Sequence, residues 1–235
     1  MVYGVILAGG VGSRMGGEKP KQYLTVKNKP IIIYTAEKFL ACTELEKIII
    51  LCPEKWVEYT KNLVKKYIAA AENRIAVIEG GETRNETIMN AVSFIEAAGN
   101  LDDETVIVTH DSVRPFVTHR IIKENIEACR KFGACDTVIP ATDTIVESEN
   151  GLNISNIPNR SIMYQGQTPQ SFKALRLREI YHSLTENEKN ILTDAAKIYV
   201  LKGETVALVA GETYNIKITY PYDLRIAKSL LEDEE

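Results

Sequence analysis

Short β-branched runs alternate with amphipathic helical runs through the first 140 residues, and this alternation constrains the fold more than any other feature. The β-type runs are VYGVIL (2–7), KIIIL (47–51), RIAVI (74–78), TVIVT (105–109) and DTVIPA (136–141). Between them lie PIIIYTAEKFLA (30–41), EKWVEYTKNLVKKYI (54–68), NETIMNAVSFIEAA (85–98) and HRIIKENIEACRKF (119–132), with apolar residues at helical spacing. In the last of these, Ile122, Ile126 and Cys129 recur at i, i+4, i+7. Such a pattern predicts an α/β fold: a mostly parallel sheet with helices on both faces. Ligands on such sheets bind outside the carboxyl ends of the strands, so the residues just after each strand are the candidate site.

The regularity breaks after Ala141. TIVESENGLNISNIPNR (144–160) holds two short β-prone runs around Asn150-Gly151, a hairpin-turn signal. A hairpin inserted here is expected to protrude as a β-arm, leaving Ile145, Val146, Leu152, Ile154 and Ile157 to find a partner surface. Dimerisation supplies one; folding back onto the same domain is the alternative. The α/β pattern resumes with FKALRLREIYHSL (172–184), LTDAAKIYVLKG (192–203), TVALVAG (205–211) and a last helix, YDLRIAKSLLEDEE. No repeat or linker is visible, so a single domain, 1–235, with an inserted arm at about 142–162 is the simplest account.

Composition removes several function classes. A net charge of −4 over 235 residues offers no global basic field for nucleic acid or an anionic membrane. The apolar N-terminus has no preceding basic region and runs into glycines, so it reads as a first strand rather than a signal peptide. No apolar run approaches the ~20 residues of a membrane helix. Cys42, Cys52, Cys129 and Cys135 form no C-x-x-C pair and sit beside apolar residues, as buried reduced thiols of a cytoplasmic protein do. Three histidines without H-x-x-x-H spacing argue against a protein-built zinc site.

LAGGVGSRMGGEKPKQ (7–22) follows the first strand and holds five glycines. A dinucleotide loop, G-x-G-x-x-G, does not fit, because Gly10-Val11-Gly12 leads to Met15 where the third glycine belongs. A P-loop does not fit either, since Gly17 is followed by Glu18. What remains is a longer glycine loop with cations. Its backbone amides can cradle an anion, while Arg14 offers a forked donor and Lys21 a point charge. That set suits a triphosphate and can stabilise charge on phosphorus under attack. Lys19 gains no such role and is expected to be solvated.

Two further loops follow strands. GGETRNET (80–87) opens a helix; Thr83, Asn85 or Thr87 is a candidate cap, the first amides favour an anion or a base carbonyl, and Arg84 is a possible tie to the sheet edge. THDSVRPF (109–116) places Asp111 just past a strand. A carboxylate there can hold Mg²⁺ together with substrate phosphates, or bond a ribose hydroxyl. Ser112 can reach a nucleotide, Arg114 is a structural candidate, and His110 reads as a packing or hydrogen-bonding residue.

LAGGVGSRMG with PKQY resembles the nucleotidyltransferases that activate sugar or alditol phosphates. HDSVRPF, DTIVES, IPNR, YQGQTPQSF, LTDA and NIKIT, in this order, are similar to the cytidylyltransferases that make CDP-methylerythritol or CDP-ribitol. The resemblance spans essentially the whole chain and implies a Rossmann-like nucleotidyltransferase fold. The methylerythritol enzymes more usually read HDAARP and VDR where this chain has HDSVRP and IPNR. Those departures resemble the ribitol 5-phosphate branch, whose CDP-ribitol would feed a cell-wall polymer such as a teichoic acid.

The resemblance implies roles residue by residue. The backbone of Leu7, Ala8, Gly9 and Gly10 holds CTP, and Gly81, Glu82, Thr83, Arg84, Asn85, Glu86 and Thr87 read the cytosine and fix the nucleotide. Asp111 and Ser112 lie at the ribose and phosphate–Mg²⁺ region. Arg14 and Lys21 stabilise the transition state, while Lys217, Arg160 and Thr144 position the alditol phosphate. The arm implies a homodimer, with Thr144 and Arg160 acting across the interface. A non-catalytic nucleotide-binding protein, expected to lack Arg14, Lys21 or Lys217, is the reading from another class. A guanylyl- or uridylyltransferase, expected to lack the later motifs, is the nearest enzyme alternative.

Overall fold

The computed structural model describes residues 1–10 and 19–232. The chain runs β1 (Val2–Leu7), a small hairpin β2 (Thr25–Val26) and β3 (Lys29–Pro30), α1 (Ile31–Leu40), β4 (Lys47–Cys52), α2 (Glu54–Tyr67), β5 (Ile75–Glu79) and α3 (Arg84–Ala97). It continues with β6 (Val106–Asp111), α4 (His119–Phe132), β7 (Ala134–Pro140), β8 (Tyr164–Lys173), α5 (Ala174–His182), α6 (Glu186–Asn190), α7 (Ala196–Leu201), β9 (Ala207–Ala210) and α8 (Pro221–Glu232).

The main sheet has the order β5-β4-β1-β6-β8-β7-β9. Strands β5, β4, β1 and β6 are parallel, and β9 is parallel to β7. Only β8 runs antiparallel to its neighbours β6 and β7. The expected mostly parallel α/β sheet is therefore what forms.

Alternation along the strands divides the core in two. Ile6, Ile48, Ile50 and Val108 face α1, α2 and α4 through Phe39, Val64 and Ile126. Val5, Leu7, Ile49 and Ile107 face α3, α5 and α7 through Val92, Leu177 and Ile198. Both faces are covered, which is why these strands read as unbroken apolar runs. Each fully buried Ile or Leu contributes roughly 1.5–3 kcal/mol. All four cysteines are buried and free. Among the described residues no helix is long and apolar enough to cross a membrane.

Two expectations need correction. The arm does not form a two-stranded hairpin; it carries a single antiparallel bridge, Glu147 to Asn156. The turn itself is as expected: Gly151 has φ 71°, and Asn150 Oδ1 accepts the N–H groups of Leu152 and Asn153 at 2.9 and 3.0 Å. The flanks are short and rich in Ser and Asn, and they have no apolar layer of their own chain to pair over. Val146, Leu152, Ile154 and Ile157 stay exposed, Leu152 at 86%, while Ile145 is half-buried. The second correction is β8, a ten-residue strand to which the sequence pattern assigned nothing before Phe172. Its buried part is largely polar, with Gln167, Thr168, Gln170 and Ser171 held by side-chain hydrogen bonds and partner strands rather than by apolar alternation.

Candidate active site

The carboxyl ends of β1, β5 and β6 meet at one sheet edge. Ser112 N–H donates to Leu7 O at 3.1 Å, tying the third loop to the first. Helix α3 begins beside them with a capping box. Thr83 Oγ1 accepts from Glu86 N at 3.2 Å, and Glu86 Oε2 accepts from Thr83 N at 3.1 Å. Of the three candidate caps, Thr83 is therefore the one used. Thr87 instead braces the glycine turn, accepting from Gly81 N at 3.0 Å and donating to Thr83 O at 2.8 Å.

These elements enclose a cleft of about 410 Å³ lined by Leu7, Gly9, Gly10, Lys21, Gln22, Gly81, Glu82, Thr83, Arg84, Thr87, Asp111, Ser112, Val113, Lys217 and Thr219. Most of the predicted nucleotide-binding residues are thus brought together. Three are not on its wall. Ala8 is buried, with its carbonyl accepting from Gln22 Nε2 at 2.7 Å. Glu86 is spent on the cap, and Asn85 is 5% exposed within α3. Gln22, Val113 and Thr219 were not singled out from the sequence, although PKQY, HDSVRPF and NIKIT contain them.

Asp111 is the electrostatic centre. Its Oδ1 lies 2.5 Å from Arg84 Nη1, and its Oδ2 lies 3.0 Å from Lys217 Nζ and 3.4 Å from Arg114 Nε. Burial alone would push this carboxyl up, but Arg84, Lys217 and Arg114 outweigh it and hold the group well below the usual carboxylate range. Arg84 is the expected tie to the sheet edge. Arg114 is also structural, donating from Nη1 to Asn215 O at 2.8 Å.

Behind Asp111 stands a closed polar chain. Fully buried His110 has Nε2 at 3.0 Å from Arg114 O and Nδ1 at 2.9 Å from Thr168 Oγ1. The carbonyl can only accept, so Nε2 carries the proton and Nδ1 accepts from the Thr168 hydroxyl. Thr168 Oγ1 accepts in turn from Asp111 N at 3.1 Å. Burial pushes His110 down to about 4, so the ring is neutral near pH 7 and every member is satisfied. The reading of His110 as a hydrogen-bonding residue holds.

Lys21 lines the cleft at 8% exposed. Lys19 is not solvated as expected. Its Nζ donates to Tyr59 OH at 2.7 Å and lies 5.0 Å from that ring's centroid, because α2 presents Tyr59 at the loop's exit. Arg14 lies outside the described residues. Thr144 and Arg160 are exposed on the arm and absent from the cleft of their own chain, and Arg160 Nη1 donates to Thr142 O at 3.0 Å.

Among the described residues no three His, Cys, Asp or Glu side chains gather as a metal cage. The donor set fits a Mg²⁺ ion that arrives with a nucleotide, since such an ion takes one or two carboxylates and completes its shell with phosphate oxygens and water. Asp111 is the strand-end carboxylate on the cleft wall, with its oxygens paired to Arg84, Arg114 and Lys217. With Lys21, Arg84 and Lys217 on its wall against Glu82 and Asp111, the cleft is cationic overall, which favours a polyphosphate ligand.

Residues 2–233 match the family model described as IspD, 2-C-methyl-D-erythritol 4-phosphate cytidylyltransferase. Solved structures agree in fold. The 4-diphosphocytidyl-2C-methyl-D-erythritol synthase of Anaerococcus prevotii is 25% identical, with 98% of this chain and 96% of that chain covered at a TM-score of 0.79. The 2-C-methyl-D-erythritol 4-phosphate cytidylyltransferase of Francisella tularensis is 25% identical, covering 97% and 98%, at a TM-score of 0.80. That of Thermus thermophilus is 26% identical, covering 99% and 100%, at 0.73.

Proposed function

Since the chain belongs to the 2-C-methyl-D-erythritol 4-phosphate cytidylyltransferase family, and is accordingly a nucleotidyltransferase, we propose that it transfers CMP from CTP to an alditol phosphate, with ribitol 5-phosphate as acceptor. One observation carries the chemistry: a buried carboxylate at a strand end, Asp111, surrounded by Arg84, Arg114 and Lys217 beside two glycine turns.

An oxygen of the acceptor's phosphate attacks the α-phosphorus of CTP. A new P–O–P link forms, the bond between the α-phosphorus and its bridging oxygen breaks, and pyrophosphate leaves with that electron pair. The attacking phosphate is already ionised at neutral pH, so no general base is needed. The amides of Gly9 and Gly10 and the start of α3 approach the nucleotide. Lys21, with Arg14, neutralises charge building on the α-phosphoryl oxygens, and Lys217 holds the acceptor phosphate. Magnesium held at Asp111 would supply further neutralisation of the triphosphate.

The acceptor is the finer point. The matched family and the solved relatives are named for methylerythritol 4-phosphate, and on names alone the comparisons favour that acceptor. The departures HDSVRP and IPNR favour ribitol 5-phosphate. The first of these falls on the cleft wall: Ser112 and Val113 line it, and Val113 O accepts from Ile218 N at 2.9 Å, next to Lys217. At about 25% identity an acceptor pocket is free to differ. The exposed apolar residues of the arm favour a homodimer in which Thr144 and Arg160 reach the partner's cleft. The test is kcat/KM with CTP, Mg²⁺ and each alditol phosphate in turn. A preference for methylerythritol 4-phosphate would replace the acceptor and leave the mechanism standing.

A further inference from the structure

Lys217 stands in the segment between β9 and α8, outside any helix or strand. Its side chain is 42% exposed, and a lysine ammonium rides on a flexible four-carbon stem. Where that ammonium points therefore depends on how firmly the backbone beneath it is held. The fixed points lie on either side of it: Asn215 and Ile218 are both 0% exposed. Ile218 packs with Val26, Val113 and Phe116, as an apolar residue should. Asn215 is polar, and its burial asks for a different explanation.

Asn215 Nδ2 donates to Thr168 O at 2.9 Å and to Gln167 Oε1 at 3.1 Å. Gln167 Nε2 donates in turn to Glu212 O at 2.8 Å, and that same carbonyl accepts from Asn215 N at 3.0 Å. The two amides thus close a ring of hydrogen bonds at the start of the Lys217 segment. Two links then join Asn215 to Asp111, the anion that faces Lys217. Thr168 accepts Asp111 N on its hydroxyl and Asn215 Nδ2 on its carbonyl. Arg114 donates from Nε to Asp111 Oδ2 and from Nη1 to Asn215 O. Lys217 and Asp111, 3.0 Å apart at Nζ and Oδ2, are therefore anchored to the same two residues. Asn215 Oδ1 is closed off and makes no hydrogen bond among the described residues. What the position uses is the amide's N–H pair: both acceptors it meets are amide oxygens, which neither a carboxylate nor an alkyl side chain satisfies.

We propose that Asn215, braced by Gln167, is a positioning residue of the transfer reaction: it fixes the backbone under Lys217 so that the ammonium meets the acceptor's phosphate. The inference rests on the reading of Lys217 as the group that holds that phosphate. Neither amide lines the cleft, so both act through Lys217 rather than on a ligand. Gly211 makes room for the arrangement. A Cβ there would sit 2.4 Å from Gln167 Oε1 and 3.1 Å from Gln167 Cδ, where that oxygen now meets Asn215. Among the described residues neither amide bonds to the glycine turns at Gly9, Gly10 or Gly81, so loosening the ring falls on the acceptor and spares CTP.

Steady-state kinetics with CTP, Mg²⁺ and ribitol 5-phosphate test this on wild type, Asn215→Ala, Lys217→Ala and the double variant. Asn215→Ala should raise KM for the acceptor about fivefold or more, with KM for CTP unchanged within about twofold. The double variant should be no worse than Lys217→Ala alone, within about twofold, because the asparagine has nothing left to position. An unchanged acceptor KM in Asn215→Ala overturns the positioning role, as do losses that multiply in the double variant. Lys217→Ala with a wild-type acceptor KM overturns the reading of Lys217 first, and the inference falls with it. If Asn215→Ala fails to fold, Gln167→Ala takes its place in the same cycle. It should raise the acceptor KM only while Lys217 is present, and a wild-type value overturns the proposal. If wild type prefers methylerythritol 4-phosphate, the same cycle measured with that acceptor decides.

Discussion

His110 Nδ1 lies 2.9 Å from Thr168 Oγ1, and through that hydroxyl the ring sets the backbone from which Asp111 projects. Burial keeps the ring neutral, with Nδ1 accepting from the hydroxyl, and this has a consequence for stability. An unfolded His titrates near 6.5 and the folded one near 4, so between these values the unfolded chain binds more protons. Stability from His110 is present above pH 6.5 and is lost as pH falls towards 4, by about 3 kcal/mol in all. Asp136 acts with the opposite sign, its contribution being lost as pH rises through about 7. Comparing wild type with His110→Asn in urea unfolding from pH 7 to 4 isolates the histidine. The variant should show a shallower loss on acidification; parallel curves would refute the buried neutral ring.

Asp111 neutralises cations that protein surrounds. Asp111→Asn should cost about 3 kcal/mol of stability, because Arg84 and Arg114 lose their shared anion in a mostly buried setting. It should also lower kcat by orders of magnitude. Thermal unfolding and turnover on the same preparation check both; an active variant of wild-type stability would contradict the assignment.

Two glycine positions separate fold from ligand. A Cβ on Gly81 would sit 2.4 Å from Glu86 Cβ and 2.8 Å from Glu86 C, inside the turn that caps α3. Gly81→Ala should therefore lower stability by about 1–3 kcal/mol. Among the described residues nothing lies within 4 Å of a Cβ on Gly10. If Gly10 holds CTP as proposed, Gly10→Ala should unfold like wild type and raise KM for CTP. Unchanged CTP kinetics in Gly10→Ala would remove that glycine from the site.

The proposed reaction has Lys21, on the cleft wall, stabilise the transition state. Lys21→Ala should reduce kcat by about 100-fold or more with a smaller change in KM for CTP. A loss confined to KM would make it a binding residue only.

The three loops were legible because each follows a parallel strand, where glycines and a terminal carboxylate carry local signals. The partners of Asp111 were not, since Arg84, Arg114 and Lys217 come from α3, the third loop and the segment before α8 and meet only in the fold. Strand β8 was hidden because Gln167, Thr168 and Gln170 are buried by hydrogen bonding, which leaves no apolar period to read. Lys19 was misjudged for a related reason: nothing in the loop announces that Tyr59, on a helix far along the chain, will accept its hydrogen bond.

The most direct test of the proposed reaction is ³¹P NMR of the products formed from CTP, Mg²⁺ and ribitol 5-phosphate. The expected result is a CDP-alditol diphosphate signal and pyrophosphate in equal amounts, with none when GTP, UTP or ATP replaces CTP. Absence of both products with ribitol 5-phosphate and with methylerythritol 4-phosphate would contradict the proposal, as would equal use of another nucleotide.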